Sequence, residues 1–172
     1  PVAPKLIEYL DQEPDTLTLS ALAALGYIAK PYPWVAEQTI PEVISLLDAE
    51  DPKLRANASG LLADLAADYA DKLRSVVPRA IDLLGDEDSV VQANASSILA
   101  RVAEIEPETV APATASLIQT LAADSESTRV NACWALGYLD AEDARDALVR
   151  IKDEDESESV RASAVAALTM LD

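Results

Sequence analysis

The chain has 172 residues, with 13 Lys and Arg against 31 Asp and Glu, a net charge of -18, no His, no Phe and a single Cys. This composition excludes imidazole catalysis, most zinc, copper and haem sites, and any disulfide framework. It also makes phosphate backbones and anionic membranes poor partners, so neither nucleic acid nor membrane is expected to bind. Half the residues are apolar, which argues against disorder, yet only 4% are aromatic. Ala, Leu, Val and Ile must therefore do the packing, which suits rows of short helices. No window has the roughly 18 apolar residues a membrane span needs, and the start Pro1-Val2-Ala3-Pro4 lacks a signal peptide's basic and apolar regions. The lone Cys fits a reducing cytoplasm. Excess carboxylate spread along the chain, with only five Lys, suits a protein kept soluble in high salt, where a Debye length of about 3 Å screens self-repulsion.

Four segments align in register at a spacing of 37 residues: Leu10 to Ile28, Leu47 to Leu65, Leu84 to Val102 and Leu121 to Leu139. Columns of like residues run through them. Ile7, Ile44, Ile81 and Ile118 form one, and Leu10, Leu47, Leu84 and Leu121 another. Ala21, Ala58, Ala95 and Ala132 form a third, followed by Leu25, Leu62, Leu99 and Leu136. Asn57, Asn94 and Asn131 make a fifth, with Ser20 in the first unit. Pro4, Pro41 and Pro78 keep the period, and Pro112 comes three residues early. A fifth unit, Ala141 to Asp172, follows at a shorter spacing, with Val160-Arg161-Ala162-Ser163-Ala164 matching Leu54-Arg55-Ala56-Asn57-Ala58. The units are expected at 1–37, 38–74, 75–108, 109–140 and 141–172, all in one domain.

Within a unit the signals read helix, turn, helix. In the second, Pro41 is expected in the first turn of helix A, where its missing N–H is harmless, and Ile40, Val43, Ile44 and Leu47 form a stripe at helical spacing. Asp48-Ala49-Glu50-Asp51-Pro52 is a polar turn in which Asp51 caps helix B and Pro52 takes its first position. Leu54, Ala58, Leu61, Leu62 and Leu65 then line one face, which only a stacked neighbour can bury.

These residues, Leu46-Leu47-Asp48 and Asp51-Pro52-Lys53-Leu54-Arg55-Ala56-Asn57-Ala58 with their copies, resemble the HEAT-repeat family. Arg129 and Arg161 keep its helix B Arg, while Gln92 and Thr18 depart from it. Trp134-Ala135-Leu136-Gly137 also looks like the armadillo repeat, but a 37-residue period leaves little room for that repeat's third helix. The resemblance implies an all-α, right-handed α-solenoid of about five units, with helix B lining the concave side.

No catalytic constellation is present: there is no Gly-rich phosphate loop and no nucleophile beside a His. No enzyme activity, cofactor or metal is expected. The run Asp153-Glu154-Asp155-Glu156-Ser157-Glu158 lacks the spaced ligands and turn Gly of a calcium loop and reads as a solvated loop. Helical geometry puts Ala56, Gly60, Ala63 and Ala67 opposite the core face of the second unit, with Ala93, Ser97, Ala100 and Glu104 next and Val130, Trp134 and Gly137 in the fourth. The groove floor is thus made of small residues, with Trp134 the exception and the leading contact residue. Tyr27, Asp64, Arg101 and Tyr138 form a mixed stripe beside it; an armadillo ladder would place Asn at those four positions.

The Asn column Asn57, Asn94 and Asn131 has two readings: a lock between neighbouring units, or a grip on an extended peptide. Lys30-Pro31-Tyr32-Pro33-Trp34 is a stiff loop expected to pack over the end of helix B. Arg55, Arg129 and Arg161 are expected to pair with Glu50, Asp124 or a neighbouring unit's carboxylate. The acids of the interhelical turns, Glu13, Glu50, Glu87 and Asp124, read as a response to solvent.

The leading functional expectation is a non-catalytic scaffold that binds a protein or peptide on its concave face. The alternatives are an accessory or lyase-type protein acting on a cofactor-bearing partner, which would need Cys133, and a regulatory segment of a larger protein that self-associates through exposed repeat ends.

Overall fold

The computed structural model describes residues 2–10, 12 and 17–172, and among these every regular element is helical. Five pairs follow one another: α1 (Ala3–Leu10) with α2 (Thr18–Ala29), α3 (Pro33–Leu46) with α4 (Pro52–Tyr69), and α5 (Val77–Leu83) with α6 (Ser89–Ile105). The short helix α7 (Pro107–Val110) precedes α8 (Thr114–Thr120) with α9 (Glu126–Tyr138), and α10 (Arg145–Glu154) with α11 (Glu158–Met170) closes the series. Short 3-10 turns lead into α5, α8 and α10. The second helices pack in order, α2 on α4, α4 on α6, α6 on α9 and α9 on α11, so the molecule is a single-file α-solenoid.

The helix starts follow from local chemistry. Asp51 accepts the Lys53 N–H at 2.9 Å ahead of Pro52. Asp88 accepts from Val90 and Val91, Ser125 from Thr128, and Ser157 from Val160. Each cap satisfies an N–H that the first helical turn leaves open. Helix α9 ends with Asp140 in the left-handed region (φ 50°), its N–H bonded to Gly137 O and that of Ala141 to Leu136 O. This left-handed cap turns the chain at once into the last pair.

The core is a row of repeated columns. Leu25, Leu62, Leu99 and Leu136 are fully buried, as are Ala58, Ala95, Ala132 and Ala164. The face Leu54, Ala58, Leu61, Leu62 and Leu65 is buried as the periodicity predicts. Two expectations are corrected. Pro41 lies inside α3, eight residues after its start at Pro33; it is tolerated because Pro41 and Glu37, whose carbonyl loses the N–H, both face water. The segment Lys30 to Trp34 is no packing loop either: Pro33 and Trp34 open α3, and Tyr32 and Trp34 are exposed. The junction is tied instead by Tyr69, whose hydroxyl donates to Lys30 O at 2.7 Å.

Candidate partner-binding face

Two polar ladders fix how the second helices stack. In the first, Arg55 Nη1 donates to the carbonyls of Ala49 and Glu50 in its own turn, while Nε and Nη2 fork onto Asp86 in the next unit's turn at 2.8 and 3.0 Å. Arg129 repeats the pattern on Ala123 O, Asp124 O and Asp155, the fork at 2.7 and 3.0 Å. Each carboxylate also accepts the N–H two residues on, from Asp88 or Ser157. The pairing of these Arg residues with a neighbouring unit's carboxylate is as expected; Glu50 and Asp124 contribute backbone carbonyls. Burial pushes the Asp86 carboxyl up, but the Arg55 fork and the Asp88 N–H outweigh it and hold the group below the ordinary carboxylate range. The Asp155 carboxyl is likewise lowered, chiefly by the Arg129 fork.

The run 153–158 is therefore only partly a solvated loop, because Asp155 is a nearly buried bridge between units. The acidic turns do more than answer solvent. Glu13 lies outside the described residues. The missed signal was the triplet Asp86-Glu87-Asp88 and Asp155-Glu156-Ser157, set one unit after each of Arg55 and Arg129, where the other turns carry Ala49 and Ala123.

The second ladder is the Asn column. Asn94 Nδ2 donates to Ala56 O and Ser59 Oγ of α4, at 3.2 and 3.1 Å, and Asn131 Nδ2 to Ala93 O and Ser96 Oγ of α6, both at 3.4 Å. Asn57 Nδ2 instead bonds Lys53 O in its own helix. The geometry thus includes the inter-unit lock, made to the middle of the preceding helix rather than to a loop or helix end. Because both amide protons of Asn94 and Asn131 are engaged, only their Oδ1 atoms are left to accept from a ligand.

A groove of about 900 Å³ lies over α2 and α4. It exists because the facing positions are small: Ala23 and Gly26 on α2, Ala56 and Gly60 on α4. A Cβ on Gly26 would come 3.2 Å from Leu61, so even that residue leaves no slack. Tyr27, Asp64, Asn57 and Asn94 line it, and Tyr27 is 86% exposed. Arg101 is exposed on α6 and lies 3.6 Å from Glu104. Trp134 and Tyr138 stack on each other, centroids 6.0 Å apart at 28°, half-buried against the core and apart from that groove. The structure therefore joins two of the five expected contact residues, Tyr27 and Asp64, in one groove. Ala100 and Gly137, expected on the groove floor, are buried; a Cβ on Gly137 would meet Ala167 Cα at 2.9 Å because α11 presses on it.

Cys133 is fully buried, and burial pushes its thiol up to about 12, so it packs as a small residue and offers no thiolate. Among the described residues no cluster of His, Cys, Asp or Glu has the form of a metal site, and no helix is long and apolar enough to cross a membrane.

Residues 114–172 match the family model of HEAT repeats. No curated protein matches the chain. Among solved structures, the designed armadillo repeat protein YIII(Dq)4CqI superposes with a TM-score of 0.84 at 23% identity, over 99% of this chain and 82% of its own. A computationally designed armadillo repeat protein for modular peptide recognition gives 0.85 at 23%, with the same coverage. The designed protein YIII(Dq.V1)4CPAF, solved in complex with the peptide (KR)4, gives 0.83 at 20%, over 99% of this chain and 81% of its own. The fold is that of the HEAT/armadillo type of α-solenoid.

Proposed function

We propose that this single domain of five units is a non-catalytic scaffold that holds an extended, basic peptide segment along its concave second-helix face. The observation that carries the reading is the open groove over α2 and α4, in which an exposed Tyr27 and the Asp64 carboxylate stand beside the Asn57 and Asn94 carbonyl oxygens. These groups accept hydrogen bonds and face a ligand with N–H groups to donate. The net charge of -18 adds long-range attraction for a cation. The similar designed protein bound to (KR)4 shows that the fold can present such a surface. Trp134 and Tyr138 would continue the site toward the fourth unit as an aromatic platform, while Arg101, which can only donate, would face a peptide carbonyl and not a basic side chain.

The acidic surface and the single Cys support a salt-rich, cytoplasmic setting. There the attraction is screened within about 3 Å, and recognition would rest on Tyr27 and the hydrogen-bonding row more than on charge.

The test is fluorescence anisotropy with a labelled (Lys-Arg)4 peptide at 0.1 M and 1 M salt. The double variant Tyr27→Ala/Asp64→Asn weakens binding about tenfold or more, a loss of at least ~1.4 kcal/mol. Asp146→Asn on α10, which removes the same charge far from the groove, changes it less than about twofold. Equal losses from both variants would reduce the interaction to unspecific charge and refute the groove.

A further inference from the structure

The groove over α2 and α4 holds two opposite charges that do not meet. Lys30 is the cation and Asp64 the anion among its lining residues, and neither forms an ion pair with the other or with any described residue. The basic side chains of the next link behave otherwise: Lys72 pairs with Glu37 at 3.0 Å and Arg74 with Glu106 at 2.8 Å. The Lys30 backbone is nevertheless fixed. Its carbonyl accepts the Tyr69 hydroxyl at 2.7 Å, and Pro31 restricts the chain that follows. The ammonium thus hangs from a held point at the end of α2, three residues after Tyr27, and only its side chain has to order on binding.

A run of basic side chains leaves Lys30 without a role, because like charges repel there. The anion that a basic segment does bring is its own terminal α-carboxylate, ionised at neutral pH. We propose that the groove takes the C-terminal end of a basic peptide, with the last α-carboxylate on the Lys30 ammonium and a basic side chain from the preceding residues on Asp64. The proposal rests on the reading of the groove as a site for a basic segment, and adds which end of the partner it holds. Tyr27 and Asp64 stand one repeat apart, so the segment leads from Lys30 toward the following units. The pieces of this site all come from α2, α4, α6 and the link after α2. Capture of a terminal carboxylate also gives a charged groove a means of choice, since the same basic run inside a longer chain lacks the anion.

The test is fluorescence anisotropy at about 0.1 M salt with N-terminally labelled (Lys-Arg)4, carrying either a free C-terminal carboxylate or an amide. General attraction and the proposal predict opposite signs. Amidation removes a negative charge from the peptide, so a chain at -18 attracts the amide more strongly. The proposal expects the amide to bind about threefold or more weakly, the scale of one exposed ion pair. Lys30→Gln, at an exposed position, is expected to bring the free acid down to the affinity of the amide, and Lys30→Arg to keep the preference. An amide that binds as well as the free acid or better, or a preference that survives Lys30→Gln, overturns the proposal. The groove reading then still stands if both peptides lose affinity in Tyr27→Ala/Asp64→Asn. Binding of neither peptide, or binding indifferent to that double variant, overturns the groove reading and this proposal with it.

Discussion

The junctions between the second and third units and between the third and fourth share the same apolar columns and the same Asn lock, and differ in one polar device. At the first, Arg55 bridges to Asp86 with both side chains nearly buried. At the second, Gln92 replaces the Arg and Ala123 the Asp; Gln92 bonds only its own turn, and a cleft of about 520 Å³ opens between Gly85, Gln92 and Asp124. The junction between the fourth and fifth units has the clamp again. Clamped and unclamped junctions thus alternate through the middle of the chain. The Leu and Ala columns suffice to stack units, and the Arg clamp adds a direct side-chain tie between adjacent turns.

The largest expected effect that would break this comparison comes from Arg129→Gln. It removes a two-pronged charge-assisted pair and leaves Asp155 nearly buried without its counter-ion, which costs about 2–4 kcal/mol. The thermal midpoint falls by roughly 5–12 °C for a domain of this size. The matched change at the unclamped junction, Gln92→Ala, costs less than about 1 kcal/mol. Similar losses from the two variants in a thermal melt would remove the distinction. A smaller effect separates the Asn residues. Asn131→Ala leaves Ser96 and Ala93 without their inter-unit donor and costs about 1 kcal/mol. Asn57→Ala removes only a bond within α4 at an exposed site and stays within about 0.5 kcal/mol.

What the sequence made legible divides by physical scale. Short-range rules found the caps at Asp51 and Pro52 and the buried face of α4, because helix geometry and capping depend on neighbours in the chain. The repeat turned five weak local signals into one strong one, so the solenoid was readable without any single conclusive motif. Pro41 misled because a proline that suits a first turn is also tolerated on the wet side of a longer helix, and Pro33 held the stronger start position. The partners of Arg55 and Arg129 needed the stacking distance between units, which no helical wheel contains. For the candidate site, the repeat columns set Tyr27 and Asp64 in a stripe beside the expected groove floor, but the groove also depends on how closely neighbouring helices approach. That approach buries Ala100 and Gly137, whereas the stack of Trp134 on Tyr138 follows from their i,i+4 spacing on α9.

Acid sharpens the same contrast without altering the unclamped junction. The Asp155 carboxyl titrates below its ordinary value of 3.8 in the folded chain because Arg129 and the Ser157 N–H favour its charged form. Between the lowered and the ordinary value the unfolded chain binds more protons than the folded one, so stability falls as pH falls through that window. Above about pH 4 the contribution of the clamp is fully present, and below the folded-state value it is lost. Asp86 loses its clamp with falling pH in the same way, while neutralising carboxylates generally relieves the repulsion of a chain at -18, so the melting temperature of the wild type alone mixes these effects. Asp155→Asn isolates the clamp, since the two proteins share every other carboxylate. The gap between their midpoints is expected to stay constant from pH 7 to about pH 4.5 and to shrink as the pH falls below the ordinary carboxylate value toward and through the lowered one of the folded chain. A gap that persists in strong acid would show that Asp155 holds the junction through packing and the Ser157 N–H, with the charge on Arg129 contributing little.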